Sequence, residues 1–327
     1  MRNHTESSGP KRRPWWQLLL PLVGLGLLVW VISRLDHAAM GAALERVSGS
    51  FVLMAALVFG INVIIKAVRW RRLLDGQGIT LKWGVAVAGF FAGAFYGAVT
   101  VGRVGEFLRV GVLTGRGVPF GKALASCVFD RVLDLVTLAS VGGMFGAFIL
   151  GDWQLAAVVG AGLVVGLPFG WWLVMRGAAW ASRDGGRSTF AGIRDLLVAS
   201  PDLLRGRVLA EAIGWTAVAW IGHFATVWIL AAGLGITVSK TLLTAATAFA
   251  ALSTLLPITY QGVGTRELIF AYALNREAVP KETAVVLALL TITVMLVTTV
   301  IMGGLGLWAQ RARPDRIHPG SRSGQSA

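Results

Sequence analysis

Charged residues are scarce in this 327-residue chain: they make up 14% of it, whereas a soluble domain usually carries about 25%. Residues of the class AVILMFWYC make up 55%, and the mean hydropathy is +0.70. Such a chain has too little polar surface to cover a water-soluble globule. It also contains several apolar runs of about 17 to 27 residues, long enough to cross a bilayer. The composition therefore predicts an all-α polytopic membrane protein.

Residues that build metal centres and covalent catalytic sites are also rare. Cys127 is the only cysteine, which excludes an intramolecular disulfide and a cysteine zinc cluster. The four histidines are far apart in the sequence and form no HExxH motif. The chain has neither a GxxxxGKS/T phosphate loop nor a GxSxG nucleophile elbow. From these absences we expect no cofactor, no metal and no enzymatic activity.

Positive charge outweighs negative charge, with a net charge of +14, and 24 of the 30 basic residues are arginine. They lie mainly in the tails and in the connections between apolar runs. That distribution is typical of signals for membrane orientation and not of a nucleic-acid-binding face. The expected partner is therefore the membrane, and no nucleic acid.

The apolar runs follow a basic N-terminal tail at residues 1–14, which we expect to be disordered. The first run, Gln17–Ser33, favours an uncleaved helix followed by a short interfacial helix, with a cleaved signal peptide as the alternative. Residues 311–327 form a polar C-terminal tail, so 15–310 make a single transmembrane domain. Further apolar runs lie at about 51–68, 83–101, 124–150, 153–175, 208–234, 241–257 and 283–309, with shorter mixed segments at 102–117 and 262–276.

Two halves of the chain share motifs at a fixed offset. In each half a glutamate is followed 13 residues later by a proline and 36 residues later by a glycine pair: Glu106, Pro119 and Gly142-Gly143, then Glu267, Pro280 and Gly303-Gly304. The spacing indicates duplication, with repeat one at about 51–150 and repeat two at about 208–309. Chance similarity between two glycine-rich apolar stretches is the alternative.

Loop charge suggests how the halves are oriented. If every long run crossed the bilayer, the arginine-rich connection 176–207 would lie outside, against the positive-inside tendency. If 83–101 with 102–117, and 241–257 with 262–276, are re-entrant hairpins, this connection and both termini are cytoplasmic. The halves then become inverted repeats, an arrangement associated with transporters. We therefore predict six full spans plus two re-entrant hairpins, with eight full spans as the alternative.

Ionisable residues at membrane depth are the strongest functional signal, because such groups usually face an interior or a wet cavity. Each predicted hairpin tip carries some of them. Arginine side chains bind phosphate in a bidentate manner, and carboxylates can orient them or release the anion. The predicted substrate-binding residues are Arg103, Glu106 and Arg109 at the first tip and Tyr260, Gln261, Arg266 and Glu267 at the second.

The helix after the first hairpin adds a second charged group. Asp130 and Asp134 are one turn apart on the same face, and Arg131 can pair with Asp134 at three residues' separation. We predict a gating or coupling role for this trio. The alternative interpretation is structural: four arginines and four carboxylates neutralise one another and hold the hairpins in place.

Other features have simpler interpretations. Lys66 lies near the end of its apolar run and is expected to snorkel to the interface. Trp70 is interpreted as an interfacial anchor and His223 as a satisfied core histidine. Two glycine ridges are expected to pack helices closely: Gly89, Gly93 and Gly97, and Gly162, Gly166 and Gly170.

At these motifs the chain resembles the lysylphosphatidylglycerol synthase transmembrane family, also called the flippase-like domain family. The resemblance covers about 15–310 and rests on Gly102-Arg103-Val104-Gly105-Glu106 with Arg109, Asp130-Arg131 with Asp134, Pro257, and Gly262-Val263-Gly264 with Glu267. It implies a domain associated with moving modified phospholipids between leaflets. In the family this domain is sometimes fused to a cytosolic aminoacyl-transferase domain, which we do not expect after Trp308.

The sequence therefore predicts a bacterial inner-membrane protein that moves a phospholipid or lipid-linked headgroup between leaflets. Arg103, Arg109 and Arg266 would hold the phosphate, while Glu106 and Glu267 would orient them or bind an amine. One alternative is an accessory or scaffold protein of a lipid or glycan pathway, with a separate lipid-modifying enzyme as its partner. Another is an intramembrane lipid-modifying enzyme.

Overall fold

The computed structural model describes residues 26–151, 153–183, 191–254 and 259–312. These residues form helices and turns and contain no strand. Four of the described helices are long and apolar enough to cross a membrane, or five spans if one bent helix pair counts as a span. The prediction of an all-α membrane protein is confirmed, whereas the number of spans stays a prediction. The N-terminal tail at 1–14 lies outside the described residues, and so do residues 313–327 of the C-terminal tail.

The two halves have the same order of elements: a long helix, a helical hairpin and a second long helix. The first half contains α1 (Gly26–Ser33), α2 (His37–Glu45), α3 (Gly49–Gly76), α4 (Trp83–Val99), a 3-10 segment (Val101–Phe107), α5 (Leu108–Thr114) and α6 (Phe120–Leu150). The connection contains α7 (Trp153–Arg183) and α8 (Ala191–Ala199). The second half contains α9 (Gly206–Gly233), α10 (Lys240–Ser253), α11 (Thr265–Leu274), a 3-10 turn (Asn275–Glu277) and α12 (Lys281–Ala312).

The first two helices are bent against each other by 94°. The bend falls at Asp36, whose carboxylate accepts a hydrogen bond of 2.8 Å from the backbone N–H of Ala38. An aspartate in this position satisfies N–H groups that the first turn of a helix leaves free. A first helix followed by a short second one agrees with the prediction for this region, of which 17–25 lies outside the described residues.

The halves pack across each other and not side by side. Helix α3 runs antiparallel to α9, since Gly76 lies against Val208 at one end and Gly233 lies against Phe51 at the other. Helix α4 packs on α12, and α10 packs on α6. The first helix of each hairpin therefore contacts the last helix of the other half. This reciprocal packing is the relation that inverted halves require, and the duplication itself stays a prediction.

Both predicted hairpins fold back on themselves. In the first, Gly105 lies against the backbone of Tyr96, so the 3-10 segment returns along α4. In the second, Gly262 lies against Ser253 at the end of α10. Each tip holds a non-glycine residue with positive φ, Arg103 at 58° and Gln261 at 53°. Such values are uncommon outside glycine, so the surrounding contacts must hold both turns in place.

Several local predictions were wrong. Helix α3 does not end near residue 68 but continues to Gly76, because Trp70 and its neighbours are buried. Trp70 is fully buried and donates to Ser126 Oγ at 3.3 Å, so it is not an interfacial anchor. The connection at 176–207, for which no secondary structure was predicted, is partly helical, and its helix α8 packs on α6. The ridge at Gly162, Gly166 and Gly170 has no described neighbour within 4 Å.

Candidate functional site

The two hairpin tips contact each other. Tyr260 Oη donates to the carbonyl of Ala98 at 2.6 Å, and Gln261 Nε2 donates to the carbonyls of Gly97 and Ala98 at 3.0 and 3.1 Å. Gly97 and Ala98 lie in the last turn of α4, where carbonyls have no partner within the helix. The second tip therefore completes the hydrogen bonding of the first, and the two hairpins form one unit.

Removing the Tyr260 hydroxyl tests this contact. We expect Tyr260→Phe to lower the free energy of unfolding by about 1 kcal/mol, because the carbonyl of Ala98 loses a donor. The matched control is Tyr272→Phe, whose ring is 76% exposed on the neighbouring helix α11. Thermal unfolding in detergent compares the two variants. Equal melting temperatures for both would show that the tips do not depend on this bond.

The glycine ridge of α4 accommodates the charged arm of its own hairpin. A methyl group at Gly97 would overlap Cγ of Glu106, and one at Gly93 would overlap Cγ of Arg109. The ridge was predicted to pack one helix on another. Its described neighbours include these two charged side chains, which glycine alone allows to lie along the helix.

Arg69 occupies the centre of the charged cluster and was missed by the sequence analysis. Its Nη2 lies 2.7 Å from Asp130 Oδ1, and its Nη1 lies 2.7 Å from Asp134 Oδ1. Nη1 also donates to Thr216 Oγ1 on α9 at 3.0 Å. The side chain is fully buried, so these bonds join three helices, α3, α6 and α9. Because Asp130 and Asp134 are four residues apart on α6, their carboxylates lie on the same face and both bind this arginine.

Arg109 binds one of the same two aspartates as Arg69. Its Nη2 is 3.2 Å from Asp130 Oδ2, and its Nε donates to the backbone carbonyl of Glu106 at 3.1 Å. The guanidinium is 5.1 Å from the ring centre of Trp70 and 4.8 Å from that of Phe90, both favourable for cation–π attraction. At 1% exposure Arg109 is largely enclosed by protein.

Glu106 binds two arginines at the edge of a cavity. Its Oε1 lies 2.7 Å from Arg103 Nε, and its Oε2 lies 2.7 Å from Arg131 Nη2. Arg131 also approaches Asp134 at 3.4 Å, as its spacing predicts. Glu106 therefore joins the first hairpin to α6.

Lys66 belongs to this group and does not snorkel to an interface. Its Nζ lies 3.4 Å from Asp134 Oδ2 and 4.5 Å from the ring centre of Trp220. The prediction was wrong because α3 extends ten residues beyond Lys66, which places its ammonium group inside the helix bundle. With Asn62 and Arg69 it forms a polar stripe at spacings of four and three, which is the signal that could have revealed it.

The cavity itself has a volume of about 120 Å³. Its charged lining consists of Lys66, Arg103, Glu106, Arg109, Arg131, Asp134 and Arg266. Gln261 also lines it, and so does His223, whose ring centre is 4.8 Å from that of Trp220. The structure thus brings residues from both predicted tips to one space.

Two of the predicted substrate-binding residues lie outside the cavity lining. Tyr260 is engaged with α4, as described above. Glu267 is fully buried and accepts a hydrogen bond of 2.6 Å from the backbone N–H of Gly264, at the start of its own helix. Arg266, in contrast, lines the cavity, and its guanidinium forms no ion pair with any described residue.

The cluster does not have the balance of four arginines and four carboxylates that the structural interpretation assumed. The cations are Lys66, Arg69, Arg103, Arg109, Arg131 and Arg266, and the carboxylates are Glu106, Asp130, Asp134 and Glu267. Six positive charges against four negative ones leave an excess of two. The geometry assembles the predicted residues, and their roles in binding or gating stay predictions.

Fold and cavity together define a helical multi-pass membrane protein with a cationic pocket between two hairpins. The chain belongs to the family described as the lysylphosphatidylglycerol synthase TM region, which it matches over residues 17–317. The resemblance seen in the sequence motifs is thereby confirmed.

Two curated relatives match shorter stretches. The chain is 25% identical over 146 residues to "Glycosyltransferase AglD" of Haloferax volcanii, a match that covers 40% of this chain and 23% of that protein. It is 28% identical over 123 residues to "UPF0104 membrane protein PH1989" of Pyrococcus horikoshii, covering 36% of each. The matched stretches thus span about a quarter and about a third of these relatives.

Proposed function

We propose that the protein moves an anionic lipid between the leaflets of a membrane, with the headgroup passing through the cationic cavity. The observation that carries the proposal is the excess positive charge, and above all Arg266, which lines the cavity without forming an ion pair with any described carboxylate. A charged group inside a membrane protein is costly unless it is paired or hydrated, so such groups commonly mark a substrate pathway. Membership of a family named for a lipid synthase region supports a lipid as the substrate.

The lining of the cavity suits an amphipathic substrate. The lining also includes apolar side chains of α3, α6 and α12, among them Phe59, Leu138, Met295 and Leu296. A phosphate group can bind arginine in a bidentate manner, while the adjoining glycerol and the first methylenes can lie on the apolar wall. A free inorganic anion would leave that wall unused.

The residues divide into two roles. Arg103, Arg131 and Arg266 face the cavity and hold the phosphate. Arg69 and Arg109 are almost completely buried and position the helices that carry the first group, and Arg109 also borders the cavity. Asp130 and Asp134 couple α6 to α3, so a shift of either helix changes the environment of Arg131.

The loop charges complete the proposal with an orientation. Both termini and the connection between α7 and α9 face the cytoplasm, and the membrane is the inner membrane of a bacterium. Six full spans and two re-entrant hairpins then place the cavity between the leaflets.

Reconstitution with a fluorescent lipid tests the transport step. In vesicles that contain labelled phosphatidylglycerol, we expect the wild-type protein to expose inner-leaflet lipid to an added quencher. Arg266→Gln should slow this at least about tenfold, because a charge-assisted contact to the phosphate is lost. The control is Arg276→Gln, an exposed residue on the 3-10 turn after α11.

Equal rates for both variants would contradict the assigned role of Arg266. If the wild-type protein binds lipid but exchanges none, the accessory or scaffold alternative gains support. Size-exclusion profiles of the variants show whether both fold.

A further inference from the structure

The charge balance of the cavity restricts the kind of phosphate that it can take; this inference rests on the proposed function. Two of the six cations, Arg69 and Arg109, are almost completely buried and engaged with Asp130 and Asp134. The other four line the cavity together with Arg109, with side-chain exposures of 16% for Lys66, 34% for Arg103 and 19% for Arg131. Arg266 completes this set.

Too few carboxylates are present to neutralise all six cations. Glu106 is shared between Arg103 and Arg131, and Asp134 is shared between Lys66 and the buried Arg69. Even when Glu267 is counted, the described cluster keeps two surplus positive charges. In a site of low dielectric constant, such a surplus favours an anion of matching charge.

Common phosphate headgroups differ in net charge, and this difference indicates which of them matches the surplus charge of the cavity. A phosphate monoester carries about −1.5 to −2 at pH 7 and offers three terminal oxygen atoms. A phosphodiester such as phosphatidylglycerol carries about −1, and a zwitterionic headgroup adds a cation that this cluster repels. We propose that the cavity is selective for a phosphate monoester group, whether it belongs to a lipid or to free phosphate.

The available donors fit this group. Arg266 Nε, Arg131 Nε and Arg109 Nη1 are buried and have no hydrogen-bond partner among the described residues. Arg103 contacts Glu106 through Nε, and its two Nη atoms have no bond to any described side chain. Four guanidinium groups with free donors are enough to serve three terminal oxygens, whereas a diester offers only two such oxygens.

The test compares three probes on the full-length protein in detergent. They are dioctanoyl phosphatidic acid, dioctanoyl phosphatidylglycerol and inorganic phosphate, measured by calorimetry. We expect the monoester lipid to bind about tenfold more tightly than the diester lipid, since one further charge-assisted contact forms. The same lipids, labelled, are compared in the vesicle assay.

Charge variants separate electrostatics from shape. Arg266→Gln lowers the surplus to one and should bring the ratio of the two affinities close to one. Arg266→Lys keeps the charge and should retain the preference, as should the exposed control Arg276→Gln. Retention of the full preference in Arg266→Gln would contradict the proposed role of surplus charge.

The possible results distinguish this inference from the transport proposal. Diester binding that equals monoester binding, with translocation intact, overturns the selectivity and leaves transport standing. Failure to bind or move either lipid contradicts transport itself. Inorganic phosphate that displaces phosphatidic acid at equal concentration supports selectivity for the monoester group but assigns the site to the free ion.

Discussion

Arg69→Gln should lower the free energy of unfolding by about 3–5 kcal/mol, which is the usual effect of removing one partner from a buried ion pair. The variant should melt at a markedly lower temperature in detergent. It should also lose lipid translocation, because the helices that carry the cavity would separate.

The loss of stability arises because removing the Arg69 guanidinium leaves two buried carboxylates without their main partner. Asp130 and Asp134 are both buried, and each accepts a bond of 2.7 Å from Arg69. Without the guanidinium, two carboxylates one helical turn apart face each other, and like charges at this spacing repel. Arg109, Arg131 and Lys66 still contact them, at 3.2 to 3.4 Å, which reduces the effect without removing it.

Two further variants isolate the ion pair. Arg72→Gln is the matched control, because Arg72 lies three residues later on α3 and is exposed. Adding Asp134→Asn to Arg69→Gln removes one unpaired carboxylate, so the double variant should recover part of the lost stability. If the free energies of unfolding lost in the two single variants simply add in the double variant, Arg69 and Asp134 act independently and the ion-pair interpretation is contradicted.

The sequence was sufficient for those parts of the fold that depend on local pattern. Apolar runs predicted the helices, and the charges of the connecting loops favoured two hairpins, which fold back at the tips around Gly105 and Gly262. That these hairpins are re-entrant stays a prediction. The resemblance of the charged motifs to a known family also proved correct.

The place of Arg69 at the centre of the charged cluster could not be predicted from the sequence. Hydropathy ended the apolar run at 51–68 before Arg69, because a charge beside Arg71 and Arg72 is typical of a connection. The partners that neutralise Arg69 lie 61 and 65 residues away, at Asp130 and Asp134. Nothing local to α3 reveals them, although the polar stripe that includes Lys66 points to a buried face.

Glu267 shows a local contact that the sequence analysis did not predict, and its role as a substrate ligand stays a prediction. Its position at membrane depth suggested a substrate ligand, whereas the structure places its carboxylate on the backbone N–H of Gly264. An acidic residue at the third position of a helix commonly bonds back to the residue at its N-cap. Gly264 and Glu267 have this spacing, so the sequence could have predicted the hydrogen bond from the Gly264 N–H to the Glu267 carboxylate.

Gly105→Ala tests whether the first hairpin holds the cavity together. A methyl group at Gly105 would overlap the carbonyl oxygen of Tyr96 and come within 2.7 Å of Thr100 Oγ1. The carbonyl belongs to the backbone of α4, so no rotation of a side chain can relieve the overlap. The 3-10 segment would have to move away from α4 and take Glu106 out of the groove at Gly97.

We expect this single methyl group to lower the free energy of unfolding by about 3 kcal/mol, the upper part of the usual range for overpacking. Translocation should be lost, because Arg103 and Arg131 would no longer share Glu106. Gly111→Ala is the matched control: it lies in α5, where an added methyl group meets no described atom within 4 Å. Alanine there should be neutral or stabilise the helix by about 0.5–1 kcal/mol. Similar melting temperatures and transport rates for the two variants would mean that the close approach of Gly105 to α4 does not hold the charged arm in place.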